Sequence, residues 1–198
     1  MARGDARTKA YWLAGNPNAP ITNAEVTELG SISETDFGVV SDLTATATEI
    51  NNMCDASGRL VTLDSTPVSL TAAAHGERVM LLSKADGIVA TLPAATGTGV
   101  KYTFLVKTTV TSNAYDIKVD SASATIDGTA YTLQDGGDTI VAFETAGTSD
   151  AVRMDGTTQG GIIGDKVEFI DVGTNLWHVN VFNSATGTEA SPFEALVS

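Results

Sequence analysis

The sequence predicts an all-β fold, an antiparallel β-sandwich or barrel with an extended N-terminal arm and one short helix. Three observations predict it. From residue 59 onward, about ten runs rich in β-branched and aromatic residues recur at roughly eight- to twelve-residue spacing. Inside Val79–Val119 the period is two: Val100, Tyr102, Phe104 and Val106 alternate with Lys101, Thr103, Leu105 and Lys107, and Tyr115, Ile117 and Val119 alternate with Asp116, Lys118 and Asp120. That alternation puts one face on a core and the other toward solvent. Finally, the runs are separated by Asp86-Gly87, Asp127-Gly128, Asp135-Gly136-Gly137 and Asp155-Gly156, pairs that supply the positive φ of tight hairpins.

Three segments follow in chain order. Residues 1–40 differ from the rest, with Arg3, Arg7 and Lys9 beside Tyr11, Trp12 and Leu13, then a breaker cluster, Asn16-Pro17-Asn18-Ala19-Pro20. Neither period is kept from Ile21 to Val40, so an extended arm is expected, with its aromatic pair docked on a surface. A first strand of the domain's own sheet, or a frayed terminus, is the plainer alternative. Residues 41–58 are the predicted helix. Thr46 and Glu49 make a capping box, Ile50 and Met53 share a face, and Gly58 ends it.

Residues 59–198 are predicted as the β domain. The expected strands are Leu60–Leu63, Val68–Thr71, Arg78–Ser83, Ile88–Leu92, Val100–Lys107, Ala114–Asp120, Ala124–Ile126, Ala130–Leu133, Thr139–Glu144, Ala151–Met154, Asp165–Val172 and Leu176–Phe182. A turn-rich tail ends in Phe193, Leu196 and Val197, an apolar cluster suited to packing back on the domain or onto a neighbour.

Composition narrows the function. The chain has 198 residues, 42% hydrophobic and 18% charged, enough for a real core. Its formal net charge of −13, from 24 acidic and 11 basic residues, argues against nucleic acid, whose phosphates call for a basic surplus. One cysteine, Cys54, excludes an internal disulfide, and with His75 and His178 alone a Cys/His zinc site is not expected. Cys54 lies beside Asp55, which disfavours a thiolate, so it reads as a packing residue. The start lacks an apolar signal region and no run is long enough to span a membrane, so the chain reads as made in a cytoplasm.

No catalytic, cofactor or metal residue is predicted, and the protein is read as a non-enzyme. Asp135 and Asp138, with Asp150 and Asp155, invite a calcium reading, but turn chemistry explains them as well. Paired carboxylates for glycoside cleavage need only proximity, yet two Trp, four Tyr and six Phe leave few aromatics for a sugar platform. Tyr102, Phe104, Tyr115, Phe143 and Phe169 fall on positions that suit the core. His178 sits on the polar side of its strand and His75 in an exposed turn, so neither completes a triad. Gly97-Thr98-Gly99 and Gly160-Gly161-Ile162-Ile163-Gly164 lack the helix context and the lysine of a phosphate-binding loop. Arg3-Gly4-Asp5 spells an integrin-binding tripeptide without a presenting hairpin.

Three segments carry a resemblance. Leu43-Thr44-Ala45-Thr46-Ala47-Thr48-Glu49-Ile50-Asn51 resembles a signature of tailed-bacteriophage structural proteins. Ala90-Thr91-Leu92-Pro93-Ala94-Ala95-Thr96-Gly97-Thr98-Gly99 with Tyr102-Thr103-Phe104 is similar to a pattern of phage head decoration and head-fibre proteins. Gly173-Thr174-Asn175-Leu176-Trp177-His178-Val179 resembles the strand that closes such modules. The chain departs from the first signature at Ile50, where leucine is usual, and has Asp55-Ala56-Ser57-Gly58 where Asp-Gly follows directly. The resemblance implies a capsid decoration, or cement, protein on the outer surface of the virion head. It would act as a homo-oligomer, often a trimer, that stabilises the shell by binding the major capsid protein, with no cofactor, nucleic acid or membrane. Arg3, Arg7, Tyr11, Trp12 and Leu13 are then the expected capsid-binding residues. A fibre or receptor-binding module that holds a host glycan is the alternative, and an enzyme on polysaccharide the remaining one.

Overall fold

The computed structural model describes residues 56–134 and 139–197. The predicted arm over 1–40, with Arg3, Arg7, Tyr11, Trp12 and Leu13, lies outside them, as do Cys54 and the predicted helix up to residue 55. Residues Ala56–Arg59 form a 3₁₀ turn.

Among the described residues, β1 (Leu60–Leu63), β3 (Arg78–Leu82), β5 (Lys101–Val106), β7 (Thr125–Gln134), β8 (Ile140–Glu144), β10 (Lys166–Gly173) and β11 (Leu176–Ala185) form one sheet in the order β1-β3-β5-β10-β11-β7-β8. A second sheet has the order β12-β9-β6-β4-β2, from β2 (Val68–Ser69), β4 (Ile88–Thr91), β6 (Tyr115–Lys118), β9 (Ala151–Met154) and β12 (Phe193–Glu194). Buried side chains from both sheets form one hydrophobic cluster between them. The fold is an all-β sandwich.

Its sheets are mixed rather than wholly antiparallel. From β1 to β6 every connection crosses to the other sheet, so consecutive strands never pair. Instead β1, β3 and β5 run parallel in one sheet and β2, β4 and β6 run parallel in the other. The antiparallel module expected over 79–119 is therefore a two-layer parallel winding. Its Asp86-Gly87 turn is an arch between layers, with Gly87 at φ 91° and its would-be Cβ 2.5 Å from the Ala114 carbonyl oxygen. Period two reads the same in both geometries, because alternation reports faces and not pairing partners. Antiparallel pairing appears where β10 meets β5 and β11, where β7 meets β8, and where β9 meets β6 and β12.

The alternation itself holds. Tyr102, Phe104 and Val106 of β5 are buried, as are Tyr115 and Ile117 of β6. Trp177 packs edge-on against Tyr102 at 5.5 Å and Phe169 at 6.4 Å, and Phe104 meets Phe169 in the same way. Large side chains taken out of water like this each contribute roughly 2–3 kcal/mol, so the ring cluster is the heart of the core.

Two further expectations are corrected. Residues Ala72–His75 form a single-turn helix, α1, not a loop: Thr71 is its N-cap, its hydroxyl accepting from the Ala74 amide at 3.3 Å, and Gly76 ends it. The pair Asp127-Gly128 is not a turn, because β7 runs unbroken through it, parallel to β11 over ten residues. Glycine is there for space, since a Cβ at position 128 would lie 1.8 Å from the Val179 carbonyl oxygen. The tail packs back: β12 pairs with β9, Phe193 joins the core and Val197 packs against it.

Gly128→Ala should destabilise the domain by about 3 kcal/mol in urea denaturation, because the adjoining strand cannot retreat without breaking its ladder. Gly147→Ala, where no atom lies within 4 Å of the new Cβ, should leave the midpoint nearly unchanged.

Candidate functional site

Both glycine-rich segments turn out to cradle an anion, and in each case it is a carboxylate of the chain itself. The loop between β4 and β5 wraps Asp171 of β10. The amides of Thr96, Gly97 and Thr98 donate to it at 2.6–3.1 Å, and the Thr98 hydroxyl adds a bond of 2.7 Å. Positive φ at Gly97 and Gly99 turns these amides inward. Burial alone would raise Asp171, but the donors outweigh it and hold the carboxyl below its ordinary value.

The loop from Gly160 to Gly164 does the same around Asp165. Gly161 and Ile162 donate backbone N–H to one oxygen, and the amide and hydroxyl of Ser184 on β11 donate to the other, all at 2.8–3.0 Å. Here burial is the larger effect, and Asp165 is raised despite its donors. Asp155 caps its own turn through Thr157, Thr158 and Gln159. Burial pushes it up as well, and those bonds, led by the Gln159 amide, bring it below its ordinary value. Asp150 accepts from the Leu196 and Val197 amides at 2.6 and 3.1 Å and so pins the tail. Asp150 and Asp155, singled out for calcium, are each engaged by backbone amides. Asp135 and Asp138 lie outside the described residues. Among the described residues no group of three or more His, Cys, Asp or Glu is placed to hold a metal ion.

The Asp165 cradle also shapes the surface. It holds Ile163 beside the β7–β8 end of the first sheet, where Tyr131, Leu133, Ile140 and Phe182 point away from the core. The result is an apolar groove of about 570 Å³ with Asp165, Asn183 and Ser184 in its floor. The floor is fixed by hydrogen bonds: Thr132 donates its hydroxyl to Asn183 at 2.7 Å, and the Asn183 amide group donates to the Gln159 carbonyl at 2.9 Å. The Tyr131 and Phe182 rings stack at 5.7 Å, yet remain 42% and 52% exposed. Leu133 is as exposed as Phe182, and Ile140 and Ile163 are more exposed still. Together these five side chains leave on the order of 500 Å² open, the upper end of what the largest patch on a monomer reaches. Alternation in β7 and β11 placed these residues on one face, but only the pairing of the two strands reveals that they adjoin.

The remaining candidates take structural places. His178 Nε2 lies 3.1 Å from the Asn180 side-chain amide on the outer face of β11, the polar side expected for it. His75 closes α1, its Nδ1 accepting from the Thr71 amide at 3.0 Å, and burial lowers it from its ordinary value. Tyr102 is pushed up to about 12 by burial, with the Asp171 and Glu77 charges adding to the rise. Asp116 is raised by burial, and Arg153 at 3.6 Å offsets part of that without making a hydrogen bond to its buried oxygen.

No family model, no curated protein and no solved structure matches the chain. The groove and the Asp165 cradle beside it stand on their own chemistry.

The two cradles should respond to pH with opposite sign. Asp171 is lowered in the fold, so its stabilisation is complete above the ordinary carboxylate value and is lost as pH falls toward its folded value. Asp171→Asn should cost about 2–3 kcal/mol at neutral pH by urea denaturation, and the gap should narrow on acidification. Asp165 is raised, so lowering the pH through its folded value favours the fold, and Asp165→Asn should abolish that gain.

Proposed function

We propose that the chain is a virion structural protein, a capsid decoration protein that binds the outer surface of a phage head and stabilises the shell. The observation that carries this reading is the exposed apolar groove on a rigid β body, a surface suited to burying area against a macromolecule. The aspartates held by backbone amides support it, because Asp150, Asp155, Asp165 and Asp171 serve as acceptors and so build the scaffold. The resemblance of residues 43–51 to tailed-bacteriophage structural proteins, and of residues 90–104 to phage head decoration and head-fibre proteins, supplies the choice of partner. In this reading Tyr11, Trp12 and Leu13, with Arg3 and Arg7, anchor the protein to the major capsid protein. The β domain then works as a non-enzymatic staple in a homo-oligomer on the outer capsid surface.

A second reading draws on the exposed Tyr131–Phe182 pair, whose rings offer apolar faces to a sugar. It makes the domain a fibre or receptor-binding module for a host-surface glycan.

Co-sedimentation with expanded, undecorated capsids separates the two. Saturable binding with a raised capsid melting temperature is the expected result, since a ligand of the assembled state stabilises it. Deleting residues 1–20 should abolish that binding while the β domain keeps its own melting temperature. Unchanged capsid binding by the deletion would rule out the arm as the anchor. No binding by the full chain, together with capture on a glycan array, would favour the receptor module.

A further inference from the structure

We propose that Asp165 and Ser184 form a proton-operated switch in the groove: the Ser184 hydroxyl hydrogen turns away from the groove when the carboxyl is ionised and into it when the carboxyl is protonated. The two carboxylate oxygens are held differently. One accepts only backbone amides, Gly161 at 2.8 Å and Ile162 at 3.0 Å, and peptide planarity fixes the direction of both donors. The other accepts the Ser184 amide at 2.9 Å and the Ser184 hydroxyl at 3.0 Å. A hydroxyl is a rotor with one hydrogen and two lone pairs, so it donates or accepts at the same distance. It is the one donor to this carboxylate that can reverse. A proton arriving at Asp165 therefore belongs on the oxygen that faces Ser184. There it donates to the Ser184 oxygen, while the other carboxyl oxygen stays a carbonyl and keeps both amides. The cradle stays closed, and the Ser184 hydrogen, displaced from Asp165, turns outward.

The surroundings give the switch its effect. Asp165 is 4% exposed, and Ser184, half-buried, lines the groove beside it. Register sets Ser184 in one row with Leu133 and Ile140 on the outer face of the sheet, so the hydroxyl sits among apolar neighbours. Asn183 in the same floor is already engaged by Thr132 and the Gln159 carbonyl. The charged groups near Asp165 have other places. Lys166, next on β10, is met by Glu168 at 3.3 Å, and Arg153 of β9 lies beside Asp116. Lys107 follows Val106, whose amide donates to the Asp165 backbone carbonyl at 2.9 Å. Asp155 is held by its own turn. Residues 159–164, 182–185 of β11 and 131–134 of β7 bring no titratable carboxyl, amine or imidazole. Burial lifts Asp165 above its ordinary value, so the switch turns at a higher pH than an exposed aspartate would. Above that pH the floor offers lone pairs and suits an occupant that brings a hydrogen-bond donor. Below it the floor offers a hydrogen and suits a carbonyl or ether oxygen.

The inference goes beyond capsid binding and does not depend on it. Two measurements on the full chain test it. In an NMR titration the Asp165 carboxyl carbon should change with a midpoint above that of an ordinary aspartate, and the Ser184 amide should shift with it. The Gly161 and Ile162 amides should stay protected from exchange on both sides of that midpoint. Ser184→Ala should raise the proton affinity of Asp165 about fivefold, because a hydrogen bond to a charged carboxylate is stronger than one to a neutral carboxyl. Ser184→Thr keeps the hydroxyl and should leave the midpoint where it is. Neutron diffraction from crystals held on either side of the midpoint should show the bridging hydrogen on Ser184 at the higher pH and on Asp165 at the lower. At the lower pH the Ser184 hydrogen should point into the groove. A midpoint at or below the ordinary value overturns the proposal, as does unfolding before the carboxyl titrates. Rapid exchange of the Gly161 and Ile162 amides on protonation, an unmoved midpoint in Ser184→Ala, or a proton on the oxygen that faces those amides overturns it equally.

Discussion

The fold depends on backbone amides meeting buried carboxylates. A two-layer winding has a standing difficulty, because each crossing leaves a stretch of chain whose N–H groups have no ladder to join, and unpaired buried amides are costly. This chain answers with its own aspartates. Asp171 gathers the crossing between β4 and β5, Asp165 the turn before β10, Asp155 its own turn and Asp150 the tail. The bonds to Asp171 and to Asp150 link residues far apart in sequence, so they lock separate stretches of the fold to each other. The physics is that of a phosphate-binding loop, with an internal anion in place of a ligand.

That internal use of charge shapes what is left for function. Carboxylates committed to amides position loops, and the most consequential loop is the one around Asp165. It sets Ile163 against the β7–β8 end and thereby makes a groove out of what would otherwise be a flat, exposed strand pair. Beneath it Thr132 donates to Asn183 and Asn183 to the Gln159 carbonyl, so the groove is built on fixed ground. Its exposed side chains gain most from covering a large surface. The proposed role draws on that surface.

Much of the fold was legible in the sequence, and the illegible part has a single cause. Strand positions came from alternation, which is local: Leu60–Leu63 and Ala151–Met154 stand where expected, and Tyr102, Phe104 and Tyr115 are buried as their spacing implied. Pairing is not local. Period two cannot distinguish β5 lying parallel to β3 from β5 folding back on it, and Asp-Gly serves an arch as readily as a hairpin. Asp127-Gly128 misled because glycine answers to tight space as well as to positive φ. The helix at Ala72–His75 carried a readable signal, a threonine cap before three alanines, obscured by its brevity. The groove was half visible: Tyr131, Leu133 and Phe182 sat on one side of their strands, but their adjacency needed the parallel register of β7 and β11.

Residue-resolved hydrogen exchange at the cradle amides is the most direct measurement. Thr96, Gly97, Thr98, Gly161 and Ile162 lie in loops, where free amides exchange rapidly, yet each donates to a buried aspartate. Protection of these five amides approaching that of the β5 and β10 ladders, lost for the first three in Asp171→Asn, is the expected result. Exchange at the rate of exposed loops in the native chain would contradict the cradles, and with the Asp165 cradle the fixed floor of the groove.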